Sequence, residues 1–282
     1  MNSNNYTSTE ESLNYLIKIE TVQTQPIKTV IDAINCLLSD INIIFVKNDL
    51  VTGKKGGIII REFNKTCKIL VNMKLDSDKF NYFENNHNSD SLSLGINISN
   101  LSKCMKCSSA FDKMTWLVYN NNRNKLVVIF ESQEKKEKKI FKINLMDIDP
   151  SISENISDKD FPYAITMSSQ EFMKHCKDMN SISEKLDIKV SSNKLMLSGK
   201  GDIGQVEFEI NGGVTIAEKE NNAEKIVQGL FDLKLLLIFT KCTSLSNNVT
   251  IYIKNDYPLI ISYPILSLGT IKLALAQSNN KN

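Results

Sequence analysis

Histidine is nearly absent: 282 residues contain two, His87 and His175. His87 sits in the polar run FENNHNSD and His175 beside Cys176 on a predicted helix. Neither has an evident triad or metal partner, and a helix-surface histidine is the commoner case. Long apolar runs are also missing. No window approaches the ~20 apolar residues of a membrane span. The opening MNSNNYTSTEESLN is polar and has no apolar segment of a secretory signal. Residues 1–13 are therefore expected to be a flexible extension, and the protein intracellular, not secreted and without a membrane partner. Neither sign of charge predominates. Lys plus Arg number 34 and Asp plus Glu 32, a formal net charge of +2. Any nucleic-acid surface must come from segregated charge.

Nucleotide motifs are incomplete. GKGDIG at 199–204 fits G-x-G-x-x-G, but the alternating QVEFEI follows it where a dinucleotide site needs a helix. Those glycines are expected to shape a hairpin. TGKKGG at 52–57 lacks the phosphate-loop spacing and reads as a basic turn. Cysteine is present, at 36, 67, 104, 107, 176 and 242. Without a secretory signal these read as reduced, mostly buried thiols. Cys104 and Cys107 form a C-x-x-C within a predicted helix, with no second ligand pair nearby. No cofactor, metal or catalytic residue is expected.

The positive content is a repeat. KCSSAFDKMTWLVY begins at Lys106 and KCTSLSNNVTIYI at Lys241. Thr115 and Thr250 keep the same offset from those lysines. KLVVIF at 125–130 is answered by PLIISY at 258–263, and FKINL at 141–145 by IKLAL at 271–275. The front of each half matches as well. PIKTVIDAINCLL at 26–38 has a helical stripe at 27, 30, 31, 34, 37 and 38. SSQEFMKHCKDM at 168–179 begins with a capping-box pair, Ser168 and Glu171. A strand precedes each helix, three alternating strands follow, and second helices are expected at 98–107 and 231–242. The reading is α+β, with two similar βαβββαβββ domains, antiparallel sheets and helices on one face. The domains span 14–146 and 163–276. An acidic, serine-rich connecting loop at 147–162 joins them, and 277–282 form a flexible tail.

The lysines concentrate on these helices. Lys103 and Lys106 are spaced i,i+3, as are Lys174 and Lys177; Lys234 and Lys241 are spaced i,i+7, and Lys28 lies on the first helix. Each pair shares a helix face. Acids collect instead at 147–160 and 218–224. Basic faces on four corresponding helices suit phosphates.

LSLGINISNLSKCMKC, KINLMDID and FTKCTSLSNNVTIYIKNDYPLIISY resemble the DNA polymerase sliding clamps of the proliferating cell nuclear antigen family. The likeness runs over about residues 13–276. It implies the DNA clamp fold and a homotrimeric ring around duplex DNA, sheets outside and helices within, with no catalytic site. The implied DNA contacts are Lys28, Lys103, Lys106, Lys174, Lys177, Lys234 and Lys241, touching phosphates without regard to sequence. The implied partners are duplex DNA, a DNA polymerase and other proteins carrying clamp-binding peptides, and a clamp-loader ATPase, in the nucleus or a cytoplasmic replication compartment. Partner peptides would dock against Phe63, Cys67, Ile152, Ile156, Phe161, Tyr257, Pro258 and Ala276. Cys67 stands where the family usually has His, Gln277 where it has Pro and Ala274 where it has an aromatic. In the family a strand near 138–145 of one subunit joins a strand near 194–200 of the next, which places Phe141, Ile143, Leu195 and Leu197 at the subunit interface. The alternative reading is a clamp-like subunit of a hetero-oligomer, or a non-ring processivity factor, with the same fold and no self-association.

Overall fold

The computed structural model describes residues 15–49, 51–149, 161–191, 194–219 and 225–278. It divides into two compact units. One comprises Met1–Asn35, Ser39–Ile60 and Lys74–Pro150; the other comprises Cys36–Leu38, Arg61–Met73 and Ser151–Asn282.

Along the first half run β1 (Tyr15–Thr21), α1 (Thr24–Asn35), β2 (Asp40–Val46), β3 (Gly57–Phe63), β4 (Ile69–Asp76), β5 (Tyr82–Asn85), β6 (Ser91–Asn97), α2 (Ile98–Lys106), β7 (Lys113–Tyr119), β8 (Asn122–Ser132) and β9 (Glu137–Asn144). Along the second run β10 (Tyr163–Ser168), α3 (Ser169–Asn180), β11 (Lys185–Ser191), β12 (Lys194–Gly201), β13 (Gly204–Ile210), β14 (Val214–Glu218), β15 (Ile226–Asp232), α4 (Leu233–Phe239), β16 (Asn248–Ile253), β17 (Leu259–Ile265) and β18 (Gly269–Leu275). The repeat is therefore βαβββββαβββ, with five strands between the helices where sequence led us to expect three. The extra strands carry weak signals. YFEN of β5 and VTIAE of β14 are short and contain no buried residue, and IVQGLFD of β15 is interrupted by Gly229.

In the first unit a five-stranded sheet has the order β5-β1-β7-β8-β9, and β2 lies between β6 and β3. In the second unit β14-β10-β16-β17-β18 form one run and β13-β12-β11-β15 a separate four-stranded sheet. Pairing is antiparallel in each of these registers. Alternation decides which residues are covered. Tyr163, Ile165 and Met167 of β10 are buried, while Ala164 and Thr166 between them are partly exposed.

The helices bury their predicted stripes. In α1 these are Ile27, Val30, Ile31 and Ile34; in α2, Ile98, Leu101, Cys104 and Met105; in α3, Phe172, Cys176 and Met179. Each fully buried large apolar side chain contributes about 1.5–3 kcal/mol. Three N-termini are capped by side chains: Asn97 accepts from the Asn100 N–H, Ser168 from Glu171 and Asp232 from Leu235. Within the first unit α1 packs on α2, where the Ser102 hydroxyl donates to Asp32 Oδ1 at 2.7 Å. Within the second, α3 packs on α4 and on the 3-10 segment Thr240–Leu245 that prolongs it.

GKGDIG is the β12–β13 hairpin, with Gly201 paired to Gly204. Among the described residues no helix is long and apolar enough to cross a membrane. The expectation of mostly buried thiols holds for half of them: Cys104, Cys176 and Cys242 are buried, while Cys36, Cys67 and Cys107 are exposed. Burial pushes the first three thiols up to about 12.

Candidate functional site

The apolar stripes leave the lysines outward. In the first unit Lys103 and Lys106 are exposed on α2 and have no ion-pair partner among the described residues. Both lie in the last turn, where the helix dipole favours cations, so their placement also has a local reason. Lys28 of α1 is half-buried, and its ammonium donates to the Ser108 carbonyl at 3.3 Å.

In the second unit Lys174 and Lys177 are exposed on α3. Glu171 and Asp178 are exposed on the same helix, so its face is mixed rather than wholly basic. Lys234 of α4 donates to Glu184 at 3.1 Å, a solvent-exposed pair worth at most about 1 kcal/mol. Lys241 lies on the 3-10 segment, its ammonium 2.8 Å from Cys36 Sγ. His175 is half-buried on α3 against the Phe208 ring, centroids 5.6 Å apart, and burial lowers its pKa. It is a packing residue between α3 and β13.

The second unit also gathers six of the residues expected to receive partner peptides. Phe161 is 5% exposed and joins Leu70, Ile260 and Ala274 in a buried cluster. Tyr257 stands edge-on to it at 5.5 Å and remains 47% exposed. Phe63 is 43% exposed. Pro258 and Ala276 are half-buried, and the Ala276 N–H donates to the Lys68 carbonyl at 2.9 Å. Cys67 is exposed in a turn with φ of 53°, a left-handed conformation that costs a side-chain-bearing residue something. Gln277 donates from Nε2 to the Tyr257 carbonyl at 3.1 Å, pinning that loop. Exposed aromatic rings beside a buried apolar floor can seat apolar anchors of a peptide. Ile152 and Ile156 lie outside the described residues.

The edges of the sheets require one correction. β9 ends the first unit's five-stranded sheet. Phe141 there packs on Phe130, Ile143 is buried and Ile140 is 54% exposed. β12, however, is an inner strand, paired to β11 on one side and β13 on the other. Leu195 and Leu197 are core residues, 1% and 3% exposed, and cannot offer a free strand edge. The end strands of this sheet are β13 and β15. On β15 the Gln228 N–H donates to Asn255 Oδ1 at 2.9 Å and the Leu230 carbonyl accepts from the Ser278 N–H at 2.8 Å, which leaves β13 as the more open edge. Alternation reports a buried face but not what lies beside a strand in the hydrogen-bonding direction, so KLMLSGK and QVEFEI were equally eligible.

Among the described residues no group of three or more His, Cys, Asp or Glu side chains could hold a metal ion. Cys104 is buried while Cys107 is exposed.

Comparison with known proteins agrees with this architecture. Residues 16–153 match the family model "Proliferating cell nuclear antigen, N-terminal domain", and residues 155–278 match "Proliferating cell nuclear antigen, C-terminal domain". The chain is 28% identical over 258 residues to "Proliferating cell nuclear antigen 2" of Drosophila melanogaster, covering 92% of this chain and 96% of that protein. Two matched domains, each of strands and a helix pair in the same order, make this the DNA clamp fold, and the chain belongs to the proliferating cell nuclear antigen family of sliding clamps.

Proposed function

We propose that this protein is a polymerase processivity factor whose copies close into a homotrimeric ring around duplex DNA. Neither unit supplies catalytic chemistry in this reading. Attachment is topological: the ring converts weak phosphate contacts into long residence. The observation that carries the reading is the repeated helix pair, which in each unit buries its apolar stripe and turns lysines outward. Lys103, Lys106, Lys174 and Lys177 are the main DNA contacts, and Lys28, Lys234 and Lys241, already engaged, are lesser ones. Three copies multiply a basic surface that a net charge of +2 conceals.

Ring closure uses β9 of one copy and β13 of the next as β-augmentation, with lysine-bearing and glutamate-bearing edges matched. Residues 14–146 and 163–276 act as the two clamp domains, joined by the loop at 147–162. Polymerase and other replication and repair proteins dock peptides on Phe161, Tyr257, Pro258 and their neighbours, with Ile152 and Ile156 of the loop completing the pocket. A clamp-loader ATPase opens the ring, and the work is intracellular, at sites of replication.

The deciding experiment combines light scattering over a concentration series with loader-dependent retention on nicked circular and linear duplex. A trimer held on circles and lost from linear ends is expected. A monomer at tens of micromolar, or equal retention on both DNAs, defeats the reading.

A further inference from the structure

The first unit carries a cavity of about 370 Å³ lined by Tyr119, Asn121, Asn122, Lys125, Val127 and Lys142. It lies on the sheet face turned away from α2. Lys139 of β9 reaches the Cys107 carbonyl just beyond α2 at 3.2 Å, and Lys142, three residues along the same strand, points to the opposite face. Val127 is directly paired with Lys142, and Lys125 is two residues from Val127 on the same face. Diagonal neighbours of this kind are about 7–8 Å apart at their backbones, close enough for both ammonium groups to serve one ligand.

The lining has a consistent chemistry. The Tyr119 hydroxyl, the Asn121 and Asn122 amides and the Lys125 and Lys142 ammonium groups can all donate hydrogen bonds. None makes a side-chain hydrogen bond or ion pair among the described residues, and no carboxylate lines the cavity. The floor is apolar: Val127 belongs to a buried cluster with Tyr15 and Leu117, against which Tyr119 packs. The walls are fixed by the β7–β8 hairpin, whose register pairs Tyr119 with Asn122. Five uncommitted donors over an apolar floor select an oxyanion on an apolar stem, since charge-assisted hydrogen bonds are about twice as strong as neutral ones.

We propose that this cavity binds an oxyanion-bearing side chain of a partner peptide, phosphorylated or carboxylate, its stem lying on Val127 and the Tyr119 ring. The volume falls in the range of about 300–1,000 Å³ typical of ligand pockets and exceeds what a bare phosphate would fill. A single concave site receives one projecting side chain rather than the regular phosphates of a duplex. The proposal does not depend on the peptide pocket of the second unit; because Lys142 lies on β9, it requires that this ammonium serve the ligand rather than a glutamate of a neighbouring copy.

The test is calorimetric titration of the full chain at low salt with three otherwise identical short peptides bearing phosphoserine, glutamate or serine. The phosphoserine peptide is expected to bind at least tenfold more tightly than the serine peptide. A glutamate peptide that matches phosphoserine identifies a general acidic site; one that matches serine identifies a phosphate site. The double variant Lys125→Ala/Lys142→Ala, and separately Asn121→Asp in the exposed turn, should each lose tenfold or more with unchanged thermal unfolding. Equal binding of phosphoserine and serine peptides would overturn the proposal, as would full affinity in both variants. A short single-stranded oligonucleotide that binds more tightly than the peptides and is lost in the same variants would replace the peptide reading with a nucleic-acid one.

Discussion

Leu197 of β12 and Phe208 of β13 are paired across the second unit's four-stranded sheet, and this pairing makes 194–201 an inner strand and 204–210 an end strand. Leu197 is buried in the core, whereas Glu207 and Glu209 are exposed on the edge strand itself. Self-association should respond accordingly. Ile140→Lys on β9 and Glu207→Lys on β13 both alter exposed side chains and should each weaken assembly tenfold or more, with normal unfolding temperature. Each tenfold corresponds to about 1.4 kcal/mol. Leu197→Ala should behave differently, lowering stability by about 2–5 kcal/mol as a cavity in a core. Sedimentation and thermal melts separate the two outcomes. Edge variants that leave the mass unchanged would remove β9 and β13 from the interface.

Much of this was legible beforehand, for reasons that can be traced to particular residues. The stripe at Ile27, Val30, Ile31 and Ile34 and the cap at Ser168 announced their helices because periodicity and capping are local properties. Which strand is an edge is a property of pairing between distant segments, and β12 and β13 alternate equally well. β5 and β14 escape such a reading because short strands with no buried residue carry little periodic signal. The lysines were found by spacing, but spacing could not show that Lys234 meets Glu184 or that Lys28 meets the Ser108 carbonyl.

Duplex binding should be weak, independent of sequence and steeply dependent on salt. Each phosphate contact adds about 0.9 to the slope of log affinity against log salt. Replacing Lys103, Lys106, Lys174 or Lys177 by Ala should therefore flatten that slope, while Lys234→Ala should have a smaller effect because Glu184 already holds its ammonium. Fluorescence anisotropy across a salt series checks both. A larger effect from Lys234 than from Lys106 would reverse the assignment of DNA-facing side chains.

Peptide docking on the second unit should be sensitive to Tyr257→Ala and Pro258→Asp, both at partly exposed positions beside Phe161. Either change should cost about tenfold or more in affinity for a peptide with a glutamine, an aliphatic residue and paired aromatics, leaving the oligomer intact. Phe161→Ala should cost stability as well, because that ring is buried with Leu70 and Ile260. Unchanged calorimetric affinity in both Tyr257→Ala and Pro258→Asp would show that the pocket lies elsewhere.

The first unit should lose stability in acid through two glutamates. Glu84 is partly desolvated, which acts to raise its pKa, but hydroxyls of Tyr15 and Tyr82 donating to it prevail and hold it below the usual value. Glu20 is likewise lowered: burial raises it, and the ammonium groups of Lys113 at 2.6 Å and Lys18 at 3.3 Å outweigh that. A carboxylate whose folded pKa is depressed binds protons more readily in the unfolded chain. Its stabilisation is complete above the unfolded value of about 4.3 and is lost as pH falls through the lower folded value. Unfolding midpoints in denaturant should therefore fall as pH drops from about 5 to 3. In Glu84→Gln and Glu20→Gln the decline should be shallower, since the substituted amide does not titrate. Glu84→Gln should also be less stable at pH 7, because Tyr15 and Tyr82 would then donate to a neutral acceptor, whereas the two profiles should converge in acid. Parallel profiles for wild type and both variants would show that neither carboxylate is linked to folding.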